Sequence, residues 1–177
     1  MTQTDGNGPK ISSLADLFAV AYQIEADAVE RYVEFATQME VHNSVDLVKA
    51  FRDLAVAEAI HRDEILQLAG DIDVVEHARK MARWTKGESP EQADLGEAHY
   101  LMTPWHALQL ALAGEERALA FFKSIVETTH DPAVKRMAEE FVEEETEHVN
   151  LVLRLLRKHP KPAESWSDDP DPPSPQE

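Results

Sequence analysis

The 177-residue chain contains no cysteine. That excludes disulfides, thiolate zinc sites, iron–sulfur clusters and thiol nucleophiles. Glycine is scarce, with 6 residues, and the 10 prolines gather toward the ends. Both features suit a helical protein, because Gly and Pro are the poorest residues inside helices. No stretch approaches the ~20 apolar residues of a membrane span, and no apolar run follows Lys10 near the start. A soluble, cytoplasmic protein with no membrane partner is the expectation. Positive charge is also short, with 17 Lys and Arg against 34 Asp and Glu, a net charge of −17. Such a surface repels phosphate backbones and argues against nucleic acid as a partner.

What the chain does have is helical periodicity. Four patterns repeat apolar residues at spacings of 3 and 4, as bundle helices do. The first begins near Ser12 or Ser13 and carries Leu14, Phe18, Ala21, Glu25, Ala28, Tyr32, Phe35 and Met39. The second begins near Asn43 or Ser44, carries Leu47, Phe51, Leu54, Glu58, His61, Ile65 and Leu68, and ends around Gly70. The third opens with Thr103 as a cap and Pro104 at the first helical position, then carries Leu108, Leu112, Glu115, Leu119, Phe122 and Val126. The fourth opens with Asp131 and Pro132 and carries Val134, Ala138, Phe141, Glu145, His148, Val152 and Leu155.

Short links join the first pattern to the second and the third to the fourth, which makes two antiparallel hairpins. Residues 71–102 separate the hairpins and must cross the length of the bundle. A short helix is expected around Val74 to Trp84, followed by the irregular "TKGESPEQADLGEAHYLM". The reading is therefore all-α: a ferritin-like four-helix bundle of two antiparallel hairpins joined by a long crossover. Residues 1–11 read as a flexible N-terminus, 12–157 as the domain, and 158–177 as an acidic, Pro-rich disordered tail.

The two halves repeat. "IEADAVERYVEFA" aligns with "GEERALAFFKSIV", so Glu25 meets Glu115 and Tyr32 meets Phe122. "LAVAEAIHRDEI" aligns with "FVEEETEHVNLV", so Glu58 meets Glu145 and His61 meets His148. Each hairpin thus carries one Glu, then Glu-x-x-His, on its apolar stripe. With 21 Glu and 8 His in 177 residues, chance alone supplies about one such Glu-x-x-His pair. The chain has three. The third, Glu127 and His130 in "ETTH", has no partnering Glu and reads as a surface Glu and a helix-terminal His. In the fourth pattern the spacing and the repeat select Glu145 over its neighbour Glu144.

Four carboxylates buried together cannot stay ionised unpaired, since each costs several kcal/mol. Two divalent cations offset four negative charges, and neutral imidazoles add nitrogen donors without further charge. Glu and His at i and i+3 share one helical face and reach one site. Glu25, Glu58, His61, Glu115, Glu145 and His148 are therefore the expected ligands of two metal ions. An oxygen and nitrogen set with no thiolate suits iron, or manganese, and zinc less well.

With "IEADAVERY", "EAIH", "GEERALAFF" and "ETEH" the chain resembles the rubrerythrin and ferritin-like di-iron family over residues 12–157. The resemblance implies that Glu58 and Glu145 bridge the metals, that Glu25 and Glu115 are terminal ligands, and that His61 and His148 supply one nitrogen to each. It implies a di-iron oxidoreductase of the peroxidase or ferroxidase type, reducing peroxide or dioxygen or oxidising Fe(II). Two departures stand out. There is no cysteine to build the rubredoxin centre of rubrerythrins proper, so electrons come from a separate donor. Ala118 stands where such proteins carry an extra glutamate, and Glu116 is turned about a quarter turn away. An oxygenase or oxidase acting on an organic substrate, and a non-catalytic metal-binding bundle, are the competing readings. Tyr22 and Tyr32, within one or two turns of Glu25, and Arg62 and Arg117, beside ligands, are candidates to support the ligand set; the favoured reading is core packing with satisfied hydroxyls for the tyrosines and surface pairing for the arginines. Off-stripe Val20, Ile24 and Val29 make a homodimer through an outer face of the first helix the expected assembly.

Overall fold

In the computed structural model the described residues are 9–85 and 103–161. They form five helices, α1 (Leu14–Val41), α2 (Val45–Ala69), α3 (Val74–Thr85), α4 (Pro104–Thr128) and α5 (Pro132–Lys158). No strand occurs among the described residues. The irregular part of the crossover, with His99, and the tail beyond Lys161 lie outside them, while Lys158 ends α5 and His159 caps it, 2.9 Å from Asp46.

Local chemistry sets the helix ends. The Ser13 hydroxyl accepts from the Asp16 amide at 3.2 Å, and Asp16 in turn accepts from the Ser12 amide at 2.9 Å. That reciprocal arrangement satisfies amides a helix start would otherwise leave bare. The Asp131 carboxylate caps α5 by accepting from Ala133 and Val134, with Pro132 following it. Thr103 and Pro104 do the same for α4. The α1–α2 link turns within three residues because Asn43 takes a left-handed backbone, φ 52°, a conformation Asn tolerates better than most residues.

α1 pairs with α2 and α4 with α5, and the two hairpins close into a ferritin-like bundle. α3 lies against α1, burying Val74 and Ala78, while His77 contacts Asp16 at 2.8 Å. This extra layer explains why α1 is buried well beyond one stripe. Val20 and Ile24 belong to the interior of the chain itself, at 8% and 2% exposure. Of the three residues behind the homodimer expectation, these two face inward and Val29 is half-buried.

Two stripes sit differently from the sequence expectation. α4 turns Ala111, Ala118 and Ile125 fully inward and leaves Leu112, Leu119 and Val126 half-buried. Ala111 and Ala118 face the centre, and the larger leucines lie on the flanks. In α2, Ala69 is buried and Leu68 is exposed. Among the described residues no helix is long and apolar enough to cross a membrane.

The core falls into two apolar clusters. One gathers Leu17, Ile24, Ile65, Phe122 and Phe141, and the other Phe35, Met39, Phe51, Leu54, Leu108 and Val152. Along each of the four bundle helices the chain passes from one cluster to the other. What lies between the two clusters on every helix is polar.

Candidate metal centre

The polar layer consists of Glu25 from α1, Glu58 and His61 from α2, Glu115 from α4, and Glu145 and His148 from α5. The four carboxylates are 1–5% exposed and His148 is 8% exposed. His61 is half-buried at the rim. Its ring stacks on that of His148, with centroids 5.2 Å apart and planes 15° apart.

Ligand atoms of Glu58, His61 and His148 lie within 4.8 Å of one another, and so do those of Glu115, Glu145 and His148. His148 Nδ1 is 3.2 Å from Glu58 Oε1 and 3.6 Å from Glu115 Oε2. His61 Nδ1 is 3.6 Å from Glu58 Oε2 and 4.0 Å from Glu25 Oε2. All six sequence-selected residues therefore meet in one layer. His148 adjoins both groups.

Electrostatics within the layer are strong. Burial pushes the Glu58 carboxyl up, but the His148 and His61 rings beside it outweigh that and bring it down to about 2. Burial alone lowers His148, yet the flanking Glu115 and Glu58 drive it up to about 11. The contact with Glu58 raises His61 against the opposing effect of burial.

Glu58 Oε1, His61 Nδ1 and His148 Nδ1 are buried atoms that make no hydrogen bond. Buried polar atoms in native proteins are nearly always hydrogen-bonded. Donors that converge without bonding one another have the geometry of a cation cage, and their oxygen and nitrogen chemistry suits a divalent metal. The donor set thus fits a metal.

Groups around this layer are part of it. The Tyr32 hydroxyl donates to Glu115 Oε1, so Tyr32 does more than fill the core. Arg31, 4% exposed, places Nη2 3.5 Å from the same oxygen. Sequence reasoning passed over Arg31. The signal for it was Gly114, an isolated glycine inside a helix, which marks a close approach. Arg62 pairs with Asp63 at 2.8 Å on the surface, as read from the sequence. Tyr22 packs half-buried on the first apolar cluster. Glu127 and His130 are exposed, as is Glu116, while Ala118 is fully buried. Glu144 is half-buried beside His61, and burial raises its carboxyl; Glu145 is the one that points into the layer.

A helical bundle with carboxylates and imidazoles layered across its interior defines the ferritin-like class. The rubrerythrin family model matches residues 16–156, and the chain belongs to that family. Among solved structures it is similar to an uncharacterized conserved protein from Magnetospirillum magnetotacticum MS-1. The two share 36% sequence identity with a TM-score of 0.68, covering 87% of this chain and 100% of the other. No curated protein matches the chain.

Proposed function

We propose that the chain is a di-iron oxidoreductase that reduces peroxide or dioxygen, oxidises Fe(II), or does both. One observation carries this reading: the buried, unbonded donors of Glu58, His61 and His148 meet the carboxylates of Glu25, Glu115 and Glu145 between two apolar clusters. Glu58 and Glu145 are the residues to bridge two ions, Glu25 and Glu115 the terminal carboxylates, and His61 and His148 the nitrogen donors. A pair of iron ions bound there supplies the two electrons that peroxide reduction requires.

The chain's own contribution is binding, orientation and exclusion of water. Four ionised carboxylates in a dry interior are tolerable only when matched by positive charge, which makes the layer selective for cations. The apolar clusters on both sides, walled by Phe35 and Phe51 in one and Phe122 and Phe141 in the other, exclude bulk water. Half-buried His61, with Glu144 beside it, lies where the layer comes nearest to solvent, the natural approach for a small oxidant.

The test is elemental analysis of anaerobically purified protein, together with peroxide consumption by the iron-loaded chain. Two iron ions per chain and turnover that disappears in the Glu58→Ala, Glu145→Ala double variant support the proposal. Oxygen uptake that depends on an organic substrate would favour an oxygenase. Bound metal without turnover would reduce the chain to a metal-binding bundle.

A further inference from the structure

The internal repeat breaks at one place beside the metal layer. Gly114, Arg31 and Tyr32 surround Glu115. Their counterparts in the repeat are Ile24, Phe121 and Phe122, which belong to or pack on a single apolar cluster. One carboxylate therefore stands beside a guanidinium and a hydroxyl, while the matching positions of the other half are hydrocarbon.

The seat for the guanidinium is specific. A Cβ on Gly114 would come within 2.9 Å of both the Arg31 Cζ and Nη1, and 3.1 Å of Nη2. Only glycine leaves that space open. Arg31 is also held over the Tyr32 ring, with Cζ 5.0 Å from its centroid. Both Arg31 and Tyr32 address Oε1 of Glu115, whereas Oε2 faces His148 Nδ1 at 3.6 Å.

We propose that Arg31, seated on Gly114, is a positioning residue that holds Glu115 by Oε1, so that only Oε2 is offered to the metal layer and the two metal positions are inequivalent. The proposal rests on the metal reading above. The ion nearer Glu115 meets a carboxylate fixed in one orientation and partly neutralised by Arg31. The ion nearer Glu25 has no counterpart of that arginine in the repeat. Outer groups that orient a ligand typically change metal affinity by about 10–100-fold when removed.

The test is titration of the metal-free full chain with Co(II), followed by visible absorption and calorimetry. Wild type is expected to take up two ions in two resolved steps. Arg31→Met weakens one step by about tenfold or more, with an altered absorption band for that step, and leaves the other nearly unchanged. Arg31→Lys, which keeps the charge but loses the fork, recovers part of the loss. Gly114→Ala reproduces the Arg31→Met effect with every charge retained, and it carries the test should Arg31→Met fail to fold. In a Glu115→Gln background, Arg31→Met has no further effect on that step, as required of a residue acting through Glu115. Two indistinguishable steps in wild type, equal weakening of both, or an effect that persists without Glu115 overturns the proposal. A wild-type chain that takes up no Co(II) overturns the metal reading itself, and this inference with it.

Discussion

The Tyr32 hydroxyl reaches across the interior from α1 to donate to Glu115 Oε1 on α4. Both side chains are essentially inaccessible to water. A buried carboxylate deprived of a donor loses a charge-assisted hydrogen bond, which contributes about 1.5–3 kcal/mol. Tyr32→Phe keeps the ring and its stacking on Phe51, 5.9 Å between centroids. Urea unfolding of the metal-free variant is expected to show a loss of that size with unchanged helix content in circular dichroism.

Phe51 is the anchor of the second apolar cluster, fully buried and 5.4 Å from the Phe35 ring. Truncating such a side chain removes its burial and leaves a cavity, at a cost of about 3–5 kcal/mol for Phe→Ala. Leu68, near the other end of the same helix, is 58% exposed. Leu68→Ala is expected to change stability by no more than about 0.5 kcal/mol, as for surface substitutions generally. Equilibrium denaturation of the two variants side by side distinguishes the observed packing from the sequence stripe, which placed both residues inward.

The architecture was legible in the sequence because the two signals that define it are local. Cap chemistry at Thr103–Pro104 and Asp131–Pro132 marked helix starts, and the 3- and 4-residue spacing marked inward faces. The six polar residues on those faces stood out because burying a carboxylate is costly without a reason. What escaped was set by contacts between helices. The inward turn of Ala111 and Ala118 depends on how closely α4 approaches its neighbours, which hydrophobicity alone cannot rank against Leu112 and Leu119. Val20 and Ile24 read as an outer face because nothing in their own helix reveals that they join one apolar cluster with Val74 of α3. Arg31 lay off the stripe, and its role depends on a glycine more than eighty positions away in sequence, a pairing visible only once α1 and α4 are brought together.

Asp16 links the start of α1 to α3. Burial pushes its carboxyl up, but Ser12 and His77 at hydrogen-bonding distance outweigh this and bring it down from 3.8 to about 2. A carboxylate depressed by folding stabilises the native state above its unfolded value, and that contribution is lost as pH falls through the folded value. The stabilisation is therefore complete above about pH 5, shrinks as pH falls through 3.8, and has largely gone by about pH 2. Asp16→Asn is expected to be less stable than wild type at pH 7 and to converge with it near pH 2. Urea midpoints measured across that range read the convergence directly, and parallel curves would assign the effect of the substitution to something other than ionisation.

Metal binding and stability are linked by mass action, because a converged donor layer exists only in the folded chain. A ligand that binds only the native state stabilises it by about 2.7 kcal/mol per site when its free concentration is 100 times the dissociation constant. The carboxylates of Glu25, Glu58, Glu115 and Glu145 repel one another until cations separate them, which lowers the dissociation constant and so brings the same gain at a lower metal concentration. Anaerobic Fe(II) or Mn(II) is expected to raise the thermal midpoint of wild type in a concentration-dependent way, with a chelator reversing it. In the Glu58→Ala, Glu145→Ala variant two of the four carboxylates of the layer, the pair proposed to bridge the ions, are gone, so the metal-dependent rise is expected to disappear. The metal-free midpoint of that variant moves independently: loss of the Glu145 charge relieves repulsion, whereas loss of Glu58 leaves His148 without its 3.2 Å partner. Calorimetric scans with and without metal separate these effects, because only the difference between them reports on binding.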